Sequence, residues 1–102
     1  MDNFLKIISA VKDETRVTVL RFLYQNGETC VCELQNSFKM IQSRLSRHLL
    51  ILKDAGFLKV RRKGAWAYYS IIEPLDDFRS CLIDEINKLD VPTPEKVPGC
   101  SN

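Results

Sequence analysis

The apolar residues of this 102-residue chain change their period near Gly56, and that change limits the fold more than any other feature. Before Gly56 they recur at spacings of three and four, as helices with one buried face require. From there to Pro74 they alternate, as half-buried strands require. Phe4, Ile7, Ile8 and Val11 predict a first helix with Asp2 or Asn3 as its cap. Asp13 is placed to cap a second helix carrying Val17, Leu20, Leu23 and Tyr24 on one stripe, which Asn26-Gly27 stops near Gln25. Thr29 is expected to cap a short third helix with Val31, Leu34 and Phe38 on one face. After a break around 38–41, a fourth helix runs from Gln42 on Leu45, Leu49 and Leu52, with Gly56 at its end. Two helices joined by so short a turn have the helix-turn-helix outline.

Residues 57–62 and 65–72 are rich in β-branched and aromatic side chains, and Lys63-Gly64 between them predicts a β-hairpin. Pro74 closes the hairpin, and Phe78, Leu82, Ile86 and Leu89 mark a last helix capped near Asp76 or Asp77. Pro92, Pro94 and Pro98 cannot continue it. The expected organisation is one domain over residues 1–90 and a flexible tail over 91–102. Its fold class is mainly α with a β-hairpin, a winged helix-turn-helix of four helices, two strands and a fifth helix.

A net charge of +2 decides little, but its distribution does. Residues 43–63 carry Arg44, Arg47, Lys53, Lys59, Arg61, Arg62 and Lys63 against Asp54 alone. Residues 73–95 reverse the balance, with Glu73, Asp76, Asp77, Asp84, Glu85, Asp90 and Glu95 against Arg79 and Lys88. The cationic stretch coincides with the second helix of the helix-turn-helix and with the hairpin. Gln42, Ser43, Arg44, Ser46, Arg47 and His48 are the expected groove-reading side chains, because Arg reads guanine, Gln reads adenine and Ser serves base or phosphate. His48 can equally be a buried hydrogen-bonding residue. Lys59, Arg61, Arg62 and Lys63 on the hairpin would hold phosphates and position more than they specify. No Cys-His pair, Ser-His-Asp set or Gly-rich phosphate loop is present, which argues against an enzyme. An interaction module that uses this fold without DNA would show salt-independent, sequence-blind behaviour in a DNA titration.

The sequence contains no apolar run of membrane-spanning length and no basic leader followed by one, so a cytoplasmic location is expected. The four cysteines are then expected to be reduced and able to bind soft ions or sense oxidants. Cys30 and Cys32 stand at the start of the third helix, where unpaired amides and the helix dipole favour negative charge and hence thiolates. Residues two apart on an ideal helix diverge, so joint ligation requires that first turn to distort. As a non-metal reading, both are small buried apolar side chains.

Asp13-Glu14-Thr15-Arg16, Cys30-Val31-Cys32-Glu33-Leu34, the run from Ser43 to Leu49, and Lys63-Gly64 followed by Tyr68-Tyr69-Ser70-Ile71 together resemble the ArsR/SmtB family of metalloregulatory repressors. The resemblance covers about residues 4 to 90 in unbroken order. It implies a homodimer built on the first and last helices, bound to inverted-repeat operator DNA and released by a toxic metal or metalloid. Cys-Val-Cys resembles the ligand motif of the family's arsenic and antimony sensors and of its cadmium and lead sensors. The arsenic members add a third Cys three positions on, where this chain has Gln35. The resemblance thus implies As(III) or Sb(III) as inducer, with Cd(II) or Pb(II), or thiol oxidation, as alternatives. Cys100 is the first candidate for the third ligand and Cys81 the second. A His-containing zinc site on the last helix is excluded, because His48 is the only histidine. No cofactor is required.

Overall fold

A computed structural model of the chain describes residues 1–98, in the order α1 (Asp2–Val11), α2 (Glu14–Asn26), β1 (Thr29–Cys30), α3 (Val31–Phe38), α4 (Gln42–Asp54), β2 (Leu58–Lys63), β3 (Trp66–Ile71) and α5 (Asp77–Asn87). All five expected helices form, and the hairpin is present as β2 and β3. Asp13 caps α2 as expected, its Oδ1 accepting from the Arg16 amide at 3.0 Å, and Asp76 caps α5 in the same way through the Arg79 amide at 3.1 Å. The first helix differs, since its N-cap is Met1 and no side chain caps it.

The core forms where the helical stripes meet. Leu45, Leu49 and Leu52 of α4 are fully buried against Val19, Leu20, Phe22 and Leu23 of α2, with Leu34, Phe57, Ile83 and Ile86 in the same cluster. Tyr24, expected on the α2 stripe, is instead 59% exposed, while Val19 and Phe22 are buried. The reason is that α2 packs against α1, α4, α5 and β3, so its buried arc is wider than a single stripe and centred elsewhere.

A third strand was not expected. Thr29 does not cap α3; it pairs with Tyr69 while Cys30 pairs with Tyr68, and the antiparallel sheet has the order β1-β3-β2. The Thr29 hydroxyl donates to the Gly27 carbonyl at 2.8 Å, and Cys30 becomes the N-cap residue of α3. The hairpin turn also shifts by one residue. Lys63 pairs with Trp66, so Gly64 and Ala65 form the turn, with Gly64 at φ 62°.

Three arginines hold helix C-termini, where carbonyls lack intrahelical partners. Arg21 of α2 donates to the carbonyls of Ile86, Asn87 and Leu89 at the end of α5. Arg79 of α5 donates through Nε to the Ala55 carbonyl at the end of α4, at 2.8 Å. Arg16 serves the end of α1. Gly56 is required beside Arg79, since it has φ 83° and a Cβ there would lie 2.8 Å from the Arg79 Nε. Beyond α5 the chain reaches α3, with the Val97 amide donating to the Ser37 hydroxyl at 2.9 Å and Asn36 donating to the Pro98 carbonyl at 3.5 Å. Among the described residues no helix is long and apolar enough to cross a membrane.

Candidate nucleic-acid interface and thiol site

Burial of Leu45, Leu49 and Leu52 turns the opposite side of α4 outward, and with it Gln42, Ser43, Arg44, Ser46 and Arg47, all of which are exposed. Two apolar residues share this exposure, Ile41 at the N-cap (69%) and Leu50 (53%). Sequence reasoning did not single them out. The available signal was that both lie off the leucine stripe, and such side chains can meet thymine methyl groups in a major groove.

His48, among the expected readers, is half-buried, and its Nδ1 lies 3.1 Å from Arg16 Nη1. Burial lowers its pKa from the usual 6.5, Asp13 opposes that, and Arg16, Arg44 and Arg47 reinforce it. Asp13 itself is pushed up by burial, but the Arg16 amide and the charges of Arg16 and His48 hold it below 3.8 overall.

The wing cations divide into two kinds. Arg61 makes a two-pronged contact with Glu28, Nε to Oε2 at 3.1 Å and Nη2 to Oε1 at 2.9 Å, while its guanidinium lies 4.9 Å from the centre of the Tyr68 ring. That hydrogen bond holds the Glu28 carboxyl below its ordinary range and raises Arg61. Lys59 lines an open groove with Tyr24, Glu28 and Asp84 on the side facing α5. Arg62 and Lys63 are exposed next to the turn. Glu28 was missed by sequence reasoning, and no local pattern marks an acid 33 residues from its arginine.

Cys30 ends β1 and is 7% exposed, and Cys32 is half-buried in the first turn of α3. The Glu33 carboxylate accepts from the Cys30 amide at 3.4 Å, and Lys96 approaches the same carboxylate at 3.9 Å. Cys30 and Cys81 are free thiols, and Cys32 is disulfide-bonded. Cys81 is exposed on α5, and Cys100 lies outside the described residues. Among the described residues no three His, Cys, Asp or Glu side chains gather into a metal-holding group. Cys30 and Cys32 are thus close in chain and placed where a strand becomes a helix, and Cys81 does not complete a three-ligand set with them.

Comparison with known proteins bears on this arrangement. The profile of the bacterial regulatory protein arsR family matches residues 13–60. An uncharacterised HTH-type transcriptional regulator of Methanocaldococcus jannaschii is 38% identical over 81 residues, covering 79% of this chain and 91% of the relative. The arsenical resistance operon repressor of Escherichia coli is 32% identical over 81 residues, covering 79% and 69%. The match to an arsenic resistance transcriptional regulator of Pseudomonas putida spans 51% of that protein, and the match to the arsenical resistance operon repressor of Bacillus subtilis spans 59% of it. Among solved structures, the homodimeric winged helix-turn-helix DNA-binding domain of a possible ArsR-family regulator from Mycobacterium bovis superposes with a TM-score of 0.70 at 26% identity, covering 83% of this chain and 75% of that one.

Proposed function

The chain belongs to the ArsR family of bacterial regulatory proteins, which are DNA-binding transcriptional regulators and not enzymes, and from that premise we propose that it is a homodimeric repressor of an inverted-repeat operator, released when cysteine thiolates capture trivalent arsenic or antimony. The observation that carries this reading is the position of Cys30 and Cys32 at the β1–α3 junction, one helix ahead of the exposed polar face of α4. Ligation of both sulfurs would bind the end of β1 to the first turn of α3, and α3 leads through a short turn into the reading helix.

The proposed division of labour follows from exposure. Gln42, Ser43, Arg44, Ser46 and Arg47 face the major groove, and Arg62 and Lys63 face phosphates. A second copy of the chain covers α1 and α5, where Phe4 and Leu5 are exposed and Phe4 stacks on Phe78 at 5.4 Å, together with exposed Leu89 just beyond α5. Homodimerisation of the Mycobacterium bovis domain supports pairing of two copies. The protein acts in the cytoplasm, where the operator is. Trivalent arsenic prefers three sulfurs, and we assign the third to Cys100. Pro98 is hydrogen-bonded to α3 two residues earlier in the chain, and two residues span ~7 Å.

Capture requires reduced thiols. Because Cys32 is disulfide-bonded in this structure, a second reading has support, in which peroxide is the signal. Two thiols then lose two protons and two electrons to form the S–S bond, and peroxide is reduced to two waters. One titration separates the readings. Pre-reduced protein is bound to a fluorescent inverted-repeat duplex that it has selected from a randomised pool, and arsenite, antimonite, cadmium, lead, zinc and peroxide are added in turn. Release by arsenite or antimonite supports the first reading, and release by peroxide alone supports the second. Cys32→Ser is expected to bind the duplex and ignore arsenite; release of this variant by arsenite removes Cys32 from the ligand set. A coupling of ~1–3 kcal/mol suffices to change occupancy.

A further inference from the structure

The end of α1 meets α4 through a polar contact. The Arg16 side chain is 12% exposed and directs its guanidinium back across the α1–α2 junction. Its Nε donates to the Ala10 carbonyl at 2.8 Å, its Nη2 donates to the Ser9 carbonyl at 3.2 Å, and its Nη1 meets His48 Nδ1 at 3.1 Å. Two sides of the fork therefore grip the last turn of α1, and the third grips the reading helix. Asp13 lies 3.8 Å from Nη1 and at the same time caps α2.

A guanidinium only donates, so the contact requires a lone pair on Nδ1 and places the imidazole proton on Nε2. A second proton on the ring removes the acceptor and sets one cation against another. The charged groups acting on His48 are Asp13 and Arg16 from the α1–α2 side and Arg44 and Arg47 from α4 itself. Three cations and one carboxylate, together with burial, keep the ring neutral near neutral pH.

We infer that Arg16 and His48 are a positioning pair for operator recognition, a clamp that sets the rotation of α4 against α1 and works only while His48 is neutral. The inference rests on α4 being the groove-reading helix. His48 follows Arg47 directly, so turning α4 about its axis moves Arg47 with it. A turn of about 10° displaces a side chain ~6 Å off the axis by ~1 Å, more than the distance range of a good hydrogen bond. Phosphate-facing side chains tolerate such a shift, because a charge holds a phosphate over a wider range of positions.

The test is a double-mutant cycle on Arg16→Lys and His48→Ala, read by anisotropy between about pH 8 and about pH 5. The probes are the self-selected inverted-repeat duplex and a random duplex of equal length. From high to low pH the wild type is expected to lose about fivefold to tenfold in affinity for the selected duplex, the scale on which neighbouring residues couple. Its affinity for random DNA should hold or rise, since an added proton only increases the positive charge. Each single variant should show a reduced preference for the selected duplex at high pH and a flat profile, and the double variant should be no worse than either. Additive losses overturn the clamp. Should Arg16→Lys fail to fold, as circular dichroism would show, His48→Ala still decides, because a wild-type pH profile in that variant also overturns the clamp. A wild type that enriches no duplex defeats the groove reading and the clamp with it. A wild type that selects a duplex but binds it without pH dependence defeats the clamp alone.

Discussion

The two helices of the helix-turn-helix are held to different degrees. α4 buries three leucines completely, and it is gripped from both flanks, by Arg16 through His48 and by Arg79 at the Ala55 carbonyl. α3 buries Leu34 completely and packs Val31 and Phe38 partly on the core, with the Phe38 ring edge-on to Phe22 at 5.4 Å; its Cys32 is disulfide-bonded, and its polar ties are Glu33 to the Cys30 amide, Ser37 to the Val97 amide and Asn36 to Pro98. Truncating a buried leucine costs ~2–5 kcal/mol, whereas a typical hydrogen bond contributes only ~0.5–1.5 kcal/mol. The contrast is one of degree: α4 has three fully buried leucines to hold it and α3 one fully buried apolar side chain, so with the disulfide reduced α3 costs less to shift than α4.

The contrast can be broken most directly in the α4 core. Leu49→Ala should destabilise the fold by ~2–5 kcal/mol in urea denaturation, and a loss below ~1 kcal/mol would remove the rigid half of the comparison. Next in size, Arg47→Ala should cost ~1–3 kcal/mol on the selected duplex and relax its sequence preference. Arg62→Ala should instead weaken selected and random DNA alike and lower the salt slope by ~1. Equal losses on both duplexes for both variants would refute the separate roles of helix and wing.

Smaller effects sharpen the picture. Asp13→Ala removes the α2 cap beside the clamp and should cost ~1 kcal/mol at neutral pH. The native Asp13 carboxyl titrates below its ordinary 3.8, burial being outweighed by the Arg16 amide and by the charges of Arg16 and His48. Its contribution is therefore complete above that ordinary value and fades as pH falls through the native one, so wild type and variant should converge in acid. On the soft side, Ser37→Ala should cost ~1 kcal/mol and speed hydrogen exchange at the Val97 amide. An unchanged exchange rate would show that the contact between the C-terminal segment and α3 does not persist in solution.

Much of this arrangement was legible in the residues. The leucines of α4 mark its inner side by spacing alone, and with that the outer side carrying Gln42 to Arg47 follows, because burial of one face exposes the other. Asp13 and Asp76 act within three residues of themselves, so their capping was legible too. β1 was not, since a strand of two residues has no period to read. Tyr24 was misplaced because a helix surrounded by neighbours buries more than one stripe. His48 was left open between reading DNA and packing, and its partner Arg16 stands 32 positions away.

By itself the sequence determined the helices, the hairpin, the cationic stretch and the location of the Cys-Val-Cys segment, because periodicity, caps and turn residues act over a few positions. Only the tertiary structure decided which cations are spent inside the molecule. Arg16, Arg21 and Arg79 serve helix ends and Arg61 serves Glu28, while Arg47, Arg62 and Lys63 remain exposed. A guanidinium binds whatever acceptors packing brings within reach, and which carbonyls end unpaired beside it depends on how whole helices meet.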